Sequence, residues 1–148
     1  MEPLHPDEVK ISALDRFNWE SVLELEMHES QREFLPSILH YIAQSKFEPC
    51  YPFAVLYQGK TVGFIMYGDF KGTCWVNRIV IDRSWQDKGI GKVALGILMD
   101  KLKKQPVCKE IRTSFARNNL SAELLFHSAG FRRIGEEIDN EIVMRHED

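Results

Sequence analysis

Residues 74–104 read CWVNRIVIDRSWQDKGIGKVALGILMDKLKK, a strand, a glycine-bearing loop and a helix in succession. Trp75, Val76, Ile79, Val80 and Ile81 form a β-branched, mostly apolar run of the kind that makes a buried strand. From Ile90 the apolar residues change to helical spacing, with Ile90, Ala94, Leu98 and Leu102 on one face. Lys101, Lys103 and Lys104 close the segment, where cations suit the helix dipole. Between strand and helix lies Gln86-Asp87-Lys88-Gly89-Ile90-Gly91. Glycines at the mouth of a helix let backbone N–H groups approach a ligand closely, and the partial positive charge there favours an anion. The construction is a phosphate cradle.

A P-loop needs G-x-x-x-x-G-K-[ST], but Val93 follows Lys92 and Gln86 stands where the first glycine belongs. The dinucleotide fingerprint G-x-G-x-x-[GA] does match at Gly89, Gly91 and Ala94, with Glu110 about twenty residues on. Against it, Arg83 to Lys88 separate the strand from the first glycine, too long for that tight turn, and too little chain follows for a second mononucleotide half.

Gln86, Gly89 and Gly91 resemble instead the pyrophosphate loop Q/R-x-x-G-x-G/A of the GCN5-related N-acetyltransferase (GNAT) family. A second signature of that family follows in order: Asn119, Ala122, Leu125, Gly130 and Phe131 fall in N-x-x-A-x-x-L-[Y]-x-x-x-G-F register. The resemblance implies an α+β fold, a mixed and mostly antiparallel sheet flanked by helices, with acetyl-coenzyme A (acetyl-CoA) as cosubstrate.

The remaining composition bounds the alternatives. At 148 residues, 44% hydrophobic and 28% charged, the chain has the make-up of one ordinary globular domain spanning residues 1–148. A net charge of −3 gives no bulk attraction to nucleic acid or an anionic membrane. Cys50, Cys74 and Cys108 are odd in number and lack C-x-x-C spacing, which points to reduced thiols. MEPLHPDEVK has no apolar h-region and no run is long enough to span a bilayer, so the expectation is a cytoplasmic chain. The five histidines are scattered without metal-binding spacing, so no metal is expected.

In chain order, residues 1–9 read as a polar arm and Ile11–Phe17 as a first strand, with Asn18 as N-cap of a helix carrying Trp19, Val22 and Leu23. Pro36 opens a second short helix through Ile42. Phe53–Tyr57 and Val62–Tyr67 form a hairpin around Gln58-Gly59-Lys60, and Asp69–Gly72 turns the chain into the central strand. Glu110–Phe115 is a strand placed parallel to its predecessor by the helical crossover. Leu120–Ala129 is a helix with Gly130 as its C′ residue, and Phe131–Glu137 and Glu141–Arg145 close the sheet.

The resemblance implies roles residue by residue. Two neighbouring strands splay, and the backbone of Ile79, Val80 and Ile81 would meet the pantetheine arm and the thioester carbonyl. Amides from Gln86, Asp87, Lys88, Gly89, Ile90 and Gly91 would hold the pyrophosphate, with Lys92 adding charge and Asn119 reaching the pantetheine. Phe126 occupies the position where the family usually carries the tyrosine that protonates the departing thiolate, and it has no proton to give. His127 is one helical step, about 100°, away. Tyr67, Tyr57 or water would substitute. Trp75 stands where some members place a carboxylate base, which leaves Glu29, Glu33, Glu48 or Asp69 acting through water.

The segments at 31–49, 62–69 and 75–82 resemble the bacterial spermine/spermidine acetyltransferases. Carboxylates spaced along a cleft would hold the remote ammonium groups of a polyamine, and Glu29, Glu33, Glu48 and Asp69 are the candidates. The resemblance also allows a homodimer. Three other readings stay open: an acyl-CoA-binding module with weak or no catalysis, an acetyltransferase for another amine (peptide N-terminus, antibiotic or amino acid), and a dinucleotide-binding fragment.

Overall fold

The computed structural model describes residues 3–27 and 37–147. Seven strands make one sheet in the order β1-β2-β3-β4-β5-β7-β6. They are β1 (Val9–Ala13), β2 (Cys50–Tyr57), β3 (Lys60–Phe70), β4 (Thr73–Ile81), β5 (Glu110–Ala116), β6 (Phe131–Ile138) and β7 (Glu141–His146). All neighbours run antiparallel except β4 and β5, which are parallel. Helices α1 (Ile38–Gln44), α2 (Ile90–Lys103) and α3 (Leu120–Ser128) flank it. The mixed, mostly antiparallel sheet is the one expected.

Three hairpins are closed by two-residue turns whose central residues are all left-handed: Gln58 and Gly59 (φ 51° and 79°), Lys71 and Gly72 (55° and 90°), Asp139 and Asn140 (49° and 67°). Such turns match the right-handed twist of the strands they join, so each sets the register of its pair. The parallel pair cannot be joined that way, and α2 supplies the crossover. Its buried stripe, Ile90, Ala94, Leu95, Leu98, Met99 and Leu102, packs on one face of the sheet. A smaller core of Val22, Ile38, Cys50, Ala54, Phe64, Met66 and Val80 occupies the opposite face, beneath α1.

The amino-terminal expectations change. The first strand starts at Val9 and ends at Ala13. Beyond it Asp15 Oδ1 accepts the N–H groups of Phe17 and Asn18, and Asn18 Oδ1 accepts that of Asp15. These local bonds offer the backbone an alternative to the ladder. Asn18 Oδ1 is thus spent on Asp15 and caps no helix, and Trp19–Glu24 is a 3-10 turn. Ser37 caps α1 by accepting the His40 N–H at 3.3 Å, whereas Pro36 lies outside the described residues.

The cysteine expectation is overturned. Cys74, at the start of β4, is disulfide-bonded to Cys108, just before β5, with the Cα atoms 5.3 Å apart. They are 34 residues apart in sequence, and only the crossover brings them together. Cys50 remains a thiol, buried, and its pKa is pushed up by that burial and by Glu48.

β4 itself carries an irregularity. Met66 pairs with Arg78 and Tyr67 with Val76, so Asn77 is an extra residue without a partner on β3. The bulge changes which residues face which core: Cys74 and Val76, then Ile79 and Ile81, pack on the α2 side, whereas Val80 joins the α1-side core. Strict alternation from Cys74 would have sent Arg78 into the α2-side core. Bulges bend a strand and re-aim its side chains, and this one sits where β4 parts from β5.

Candidate active site

β4 and β5 pair only between Thr73–Val76 and Glu110–Thr113. Past that point Ser114, Phe115 and Ala116 keep β7 as partner, and Asn77–Ile81 run beside β3. The two strands diverge and open a cleft of about 430 Å³. At its apex the Thr113 hydroxyl donates to the Val76 carbonyl at 2.9 Å, inside the core.

The Asp82 N–H donates to Val62 O on β3 at 2.8 Å. Amide groups alternate in direction along a strand, so those of Val80 also face β3 and those of Ile79 and Ile81 face the cleft. A Cβ built on Gly63 of β3 would lie 2.7 Å from the Val80 carbonyl oxygen, in keeping with this. The Ile81 carbonyl accepts Gln86 Nε2–H at 3.0 Å, which pins the loop to the strand it follows.

The loop is tied down on its outer side as well. Asp82 accepts from the N–H groups of Glu26 (2.8 Å) and Ser84 (3.1 Å). Partial burial raises its pKa, but these bonds and nearby Lys60 outweigh that and hold the carboxyl below its usual range. Trp85 packs edge-on against Tyr57. Asp87 (φ 63°) and Gly89 (φ 89°) are both left-handed, and Gly89 is the N-cap of α2 without a side-chain cap. The Gly89 carbonyl accepts the Val93 N–H at 3.2 Å, no side chain at Gly89 caps the amides before it, and Gly89 to Lys92 line the cleft, an arrangement suited to an anion. A Cβ on Gly91 would meet Ile81 Cγ1 at 3.5 Å, ordinary contact, so the space that glycine leaves is cleft volume.

Of the residues named from sequence, Ile79, Ile81, Gln86, Asp87, Gly89, Ile90, Gly91, Lys92, Asn119 and Phe126 are brought together around this cleft. Val80 and Lys88 are not: Val80 is buried in the opposite core, and Lys88 lines a neighbouring depression with Glu24, Glu26 and Asp82. Asn119 caps α3, its Oδ1 accepting the Ala122 N–H at 3.2 Å. Phe126 is stacked on Phe115 and edge-on to Phe131. His127 is exposed.

Of the residues named for acid, base and amine binding, those that are described do not line this cleft. Tyr67 is buried in the α2-side core against Phe53 and Tyr51, and its pKa is raised by burial, with Tyr51 and Asp69 adding to the effect. Asp69 lies near the closed end of β4, opposite Cys74, and Glu48 is exposed on the loop before β2, accepting from Gln44 Nε2 at 2.6 Å. Tyr57 accepts the His5 N–H at 3.1 Å through its hydroxyl. Glu29 and Glu33 lie outside the described residues.

Sequence reading missed the other wall of the cleft, made by Tyr41 of α1, Arg78 of β4, Ser114 of β5 and Glu141 of β7. Arg78 is 9% exposed, lays its guanidinium 5.7 Å over the Tyr41 ring and sets Nη2 3.3 Å from Met27 Sδ. Burial lowers its pKa. The Tyr41 hydroxyl is pushed up by burial, which Arg78 opposes and Glu141 reinforces. No local motif carries these four residues, which come from four separate elements. Glu110, a ribose ligand in the dinucleotide reading, is instead engaged by Arg112 at 3.1 Å and Arg145 at 3.3 Å. Among the described residues no helix is long and apolar enough to cross a membrane.

A seven-stranded mixed sheet whose one parallel pair splays toward a glycine-capped helix defines a class of acyl-CoA-dependent transferases, and comparison with known proteins agrees. The model of the acetyltransferase (GNAT) family matches residues 16–131, and the chain belongs to that family. It is 32% identical over 146 residues to the spermine/spermidine N(1)-acetyltransferase of Bacillus subtilis, covering 92% of this chain and 96% of that one. Among solved structures it resembles the spermidine N-acetyltransferase of Vibrio cholerae in complex with CoA and spermine (TM-score 0.73, 16% identity, 94% of each chain). The ribosomal-protein-S18-alanine N-acetyltransferase of Escherichia coli is equally similar in fold (TM-score 0.73, 22% identity, 93% of this chain and 92% of that one).

Proposed function

We propose that this chain, as one domain, moves the acetyl group of acetyl-CoA to a primary amine, and that the amine is a polyamine such as spermidine or spermine. The observation that carries the reading is the splay of β4 from β5, with Ile79 and Ile81 turning main-chain groups into the gap and the α2 N-terminus facing its open end. The curated relative of like length supports the choice of amine.

In this reading Gln86–Gly91 would hold the pyrophosphate through main-chain amides, with Lys92 as counter-charge. Ile79 and Ile81 would pair with the pantetheine amides as a missing strand would. The Nδ2 group of Asn119 would be a further donor. The thioester would then lie near the apex, where the Ile79 N–H could polarise its carbonyl. An alkylammonium, with a pKa of about 10.4, must lose a proton before attack, whereas a thiol of pKa roughly 8.5 leaves tolerably unassisted. Phe126 gives no proton, so water would reprotonate the thiolate. Glu48, on the exposed loop before β2 and close to Cys50, would hold a remote ammonium group. The reading places the chain in the cytoplasm, where acetyl-CoA is used. The Cys74–Cys108 bond is the feature opposed to a reducing compartment; Cys74 is fully buried and Cys108 half-buried.

Coupled thiol release with acetyl-CoA, across spermidine, spermine, putrescine, aminoglycosides, amino acids and peptide N-termini, tests this. Saturable release is expected with spermidine or spermine at neutral pH. Release with amino acids alone would transfer the reading to an acceptor bearing a carboxylate, which the buried cation Arg78 favours. Calorimetric binding of acetyl-CoA without release for any amine would reduce the chain to an acyl-CoA-binding module, which Phe126 favours.

A further inference from the structure

We propose that Glu141, positioned by Ser114, is the carboxylate that receives the acceptor ammonium at the apex of the cleft and takes its proton. The proposal rests on the acetyl-transfer reading above and deepens it by naming the base.

Ser114 is the first residue of β5 beyond the stretch paired to β4, so its side chain stands at the apex. Its Oγ donates to Glu141 Oε1 at 2.8 Å. Glu141 begins β7, opposite Ala116 of β5, and lines the cleft. Along β5 the buried residues Ile111 and Phe115 face the α2-side core, so Ser114 faces the other way, and with it the Glu141 carboxylate. Cofactor elements and carboxylate thus reach the apex from opposite faces of the sheet, as they must if the amine is to approach the carbonyl without crossing the acyl carrier.

Charge supports the assignment. The other carboxylate lining the cleft among the described residues is Asp87, in the pyrophosphate loop at the far end. Arg78, the nearby cation, is turned to the Tyr41 ring and Met27 Sδ and makes no ion pair with Glu141. Among the described residues no cation is paired with the Glu141 carboxylate, and one Oε atom carries no bond to Ser114. A second acceptor lines the same cleft. Asn77, the bulged residue at the apex, has a buried Oδ1 without a hydrogen-bond partner among the described residues. Buried acceptors are normally satisfied, and an N–H of an amine at the apex would satisfy this one.

The proton and electron balance is simple. R–NH3+ passes a proton to the Glu141 carboxylate, and the freed nitrogen pair forms the C–N bond to the thioester carbon. The C–S bond breaks with its pair on sulfur, the second nitrogen proton neutralises the thiolate through water, and Glu141 returns its proton to solvent.

The test compares wild type with Glu141→Gln and Glu141→Asp. The amide in Glu141→Gln keeps an oxygen to accept the Ser114 bond, so calorimetric affinity for acetyl-CoA and the thermal midpoint are expected to stay close to wild type. With spermidine, kcat/KM is expected to fall on the order of 10² to 10⁴ in Glu141→Gln, with partial recovery in Glu141→Asp. For 2,2,2-trifluoroethylamine, largely unprotonated at neutral pH, the deficit should shrink toward unity. A Glu141→Gln enzyme as active on spermidine as wild type overturns the proposal, as does an equal deficit on both amines without recovery in Glu141→Asp. A wild type that binds acetyl-CoA but acetylates no amine overturns the transfer reading, and the base with it.

Discussion

Over its first four residues, Thr73–Val76, β4 is held on both sides, by β3 and by β5; over its last four, Arg78–Ile81, it is held by β3 alone, and the bulged Asn77 between them pairs with neither. The paired end is fastened further by the Cys74–Cys108 bond, by Thr113 Oγ1 on the Val76 carbonyl and by the Lys109 N–H on Gly72 O at 2.9 Å. The diverging end is tethered to the loop by Gln86 on the Ile81 carbonyl. Hydrogen-bonding capacity that the sheet leaves unused at one end is what a ligand can use. Fastening the other end keeps the two strands at a fixed angle, so the gap is a shaped site and not a fraying edge.

If that division of labour is right, changes at the two ends should have different signatures. The largest effect belongs to the fastened end. Cys108→Ser opens a cross-link between residues 34 apart in sequence, worth roughly 3 to 4 kcal/mol on chain-entropy grounds. Urea unfolding should register that loss while calorimetric acetyl-CoA affinity stays within about twofold. A large drop in affinity would show that the two ends are not separable.

Gly89→Val at the open end should do the reverse. A β-branched residue at φ 89° costs about 2 kcal/mol, and the loop relieves it most readily by withdrawing its amides. The expected result is a roughly 30-fold weaker acetyl-CoA titration with a midpoint shift smaller than that of Cys108→Ser. An unchanged titration would remove the loop from the binding account.

The smallest effect is again at the closed end, where the Arg112 hydrogen bond, aided by Arg145 and against some desolvation, holds the Glu110 carboxyl below its usual range. A depressed carboxylate contributes stability that is present above its unfolded pKa, about 4.5, and is lost as pH falls through the lower folded value. The pair is partly exposed, so the contribution should stay below about 1 kcal/mol. Urea midpoints of wild type and Glu110→Gln should differ at pH 7 and converge as the pH falls below about 4. A gap that widens on acidification would reverse the sign and the assignment.

The same contrast explains what was legible in the sequence. The loop and α2 are readable because their residues are consecutive or at fixed helical spacing, and each does its work through local backbone geometry. Hairpin turns at 58–59 and 71–72 are readable for the same reason. Glu141, Ser114, Arg78 and Tyr41 come from four elements, and nothing in their neighbourhoods marks them until the sheet order is known. Glu48, Asp69 and Tyr67 were chosen by residue type, and type alone could not tell that Tyr67 faces the α2-side core. The Cys74–Cys108 bond was hidden by the crossover, and the 3-10 turn at Trp19–Glu24 by an Asn18 side chain already engaged with Asp15.

The regular alternation of buried and half-buried residues along β4 conceals a change of face at Asn77. Because that residue is supernumerary, deleting it would leave every other side chain of the strand on its present side of the sheet. Such a shortened chain would retain both cores and straighten the kink, giving β4 the chance to zip onward along β5. The cavity of this architecture is in that sense written in arithmetic: one residue more than the β3 ladder can count stands at the point where the two strands part.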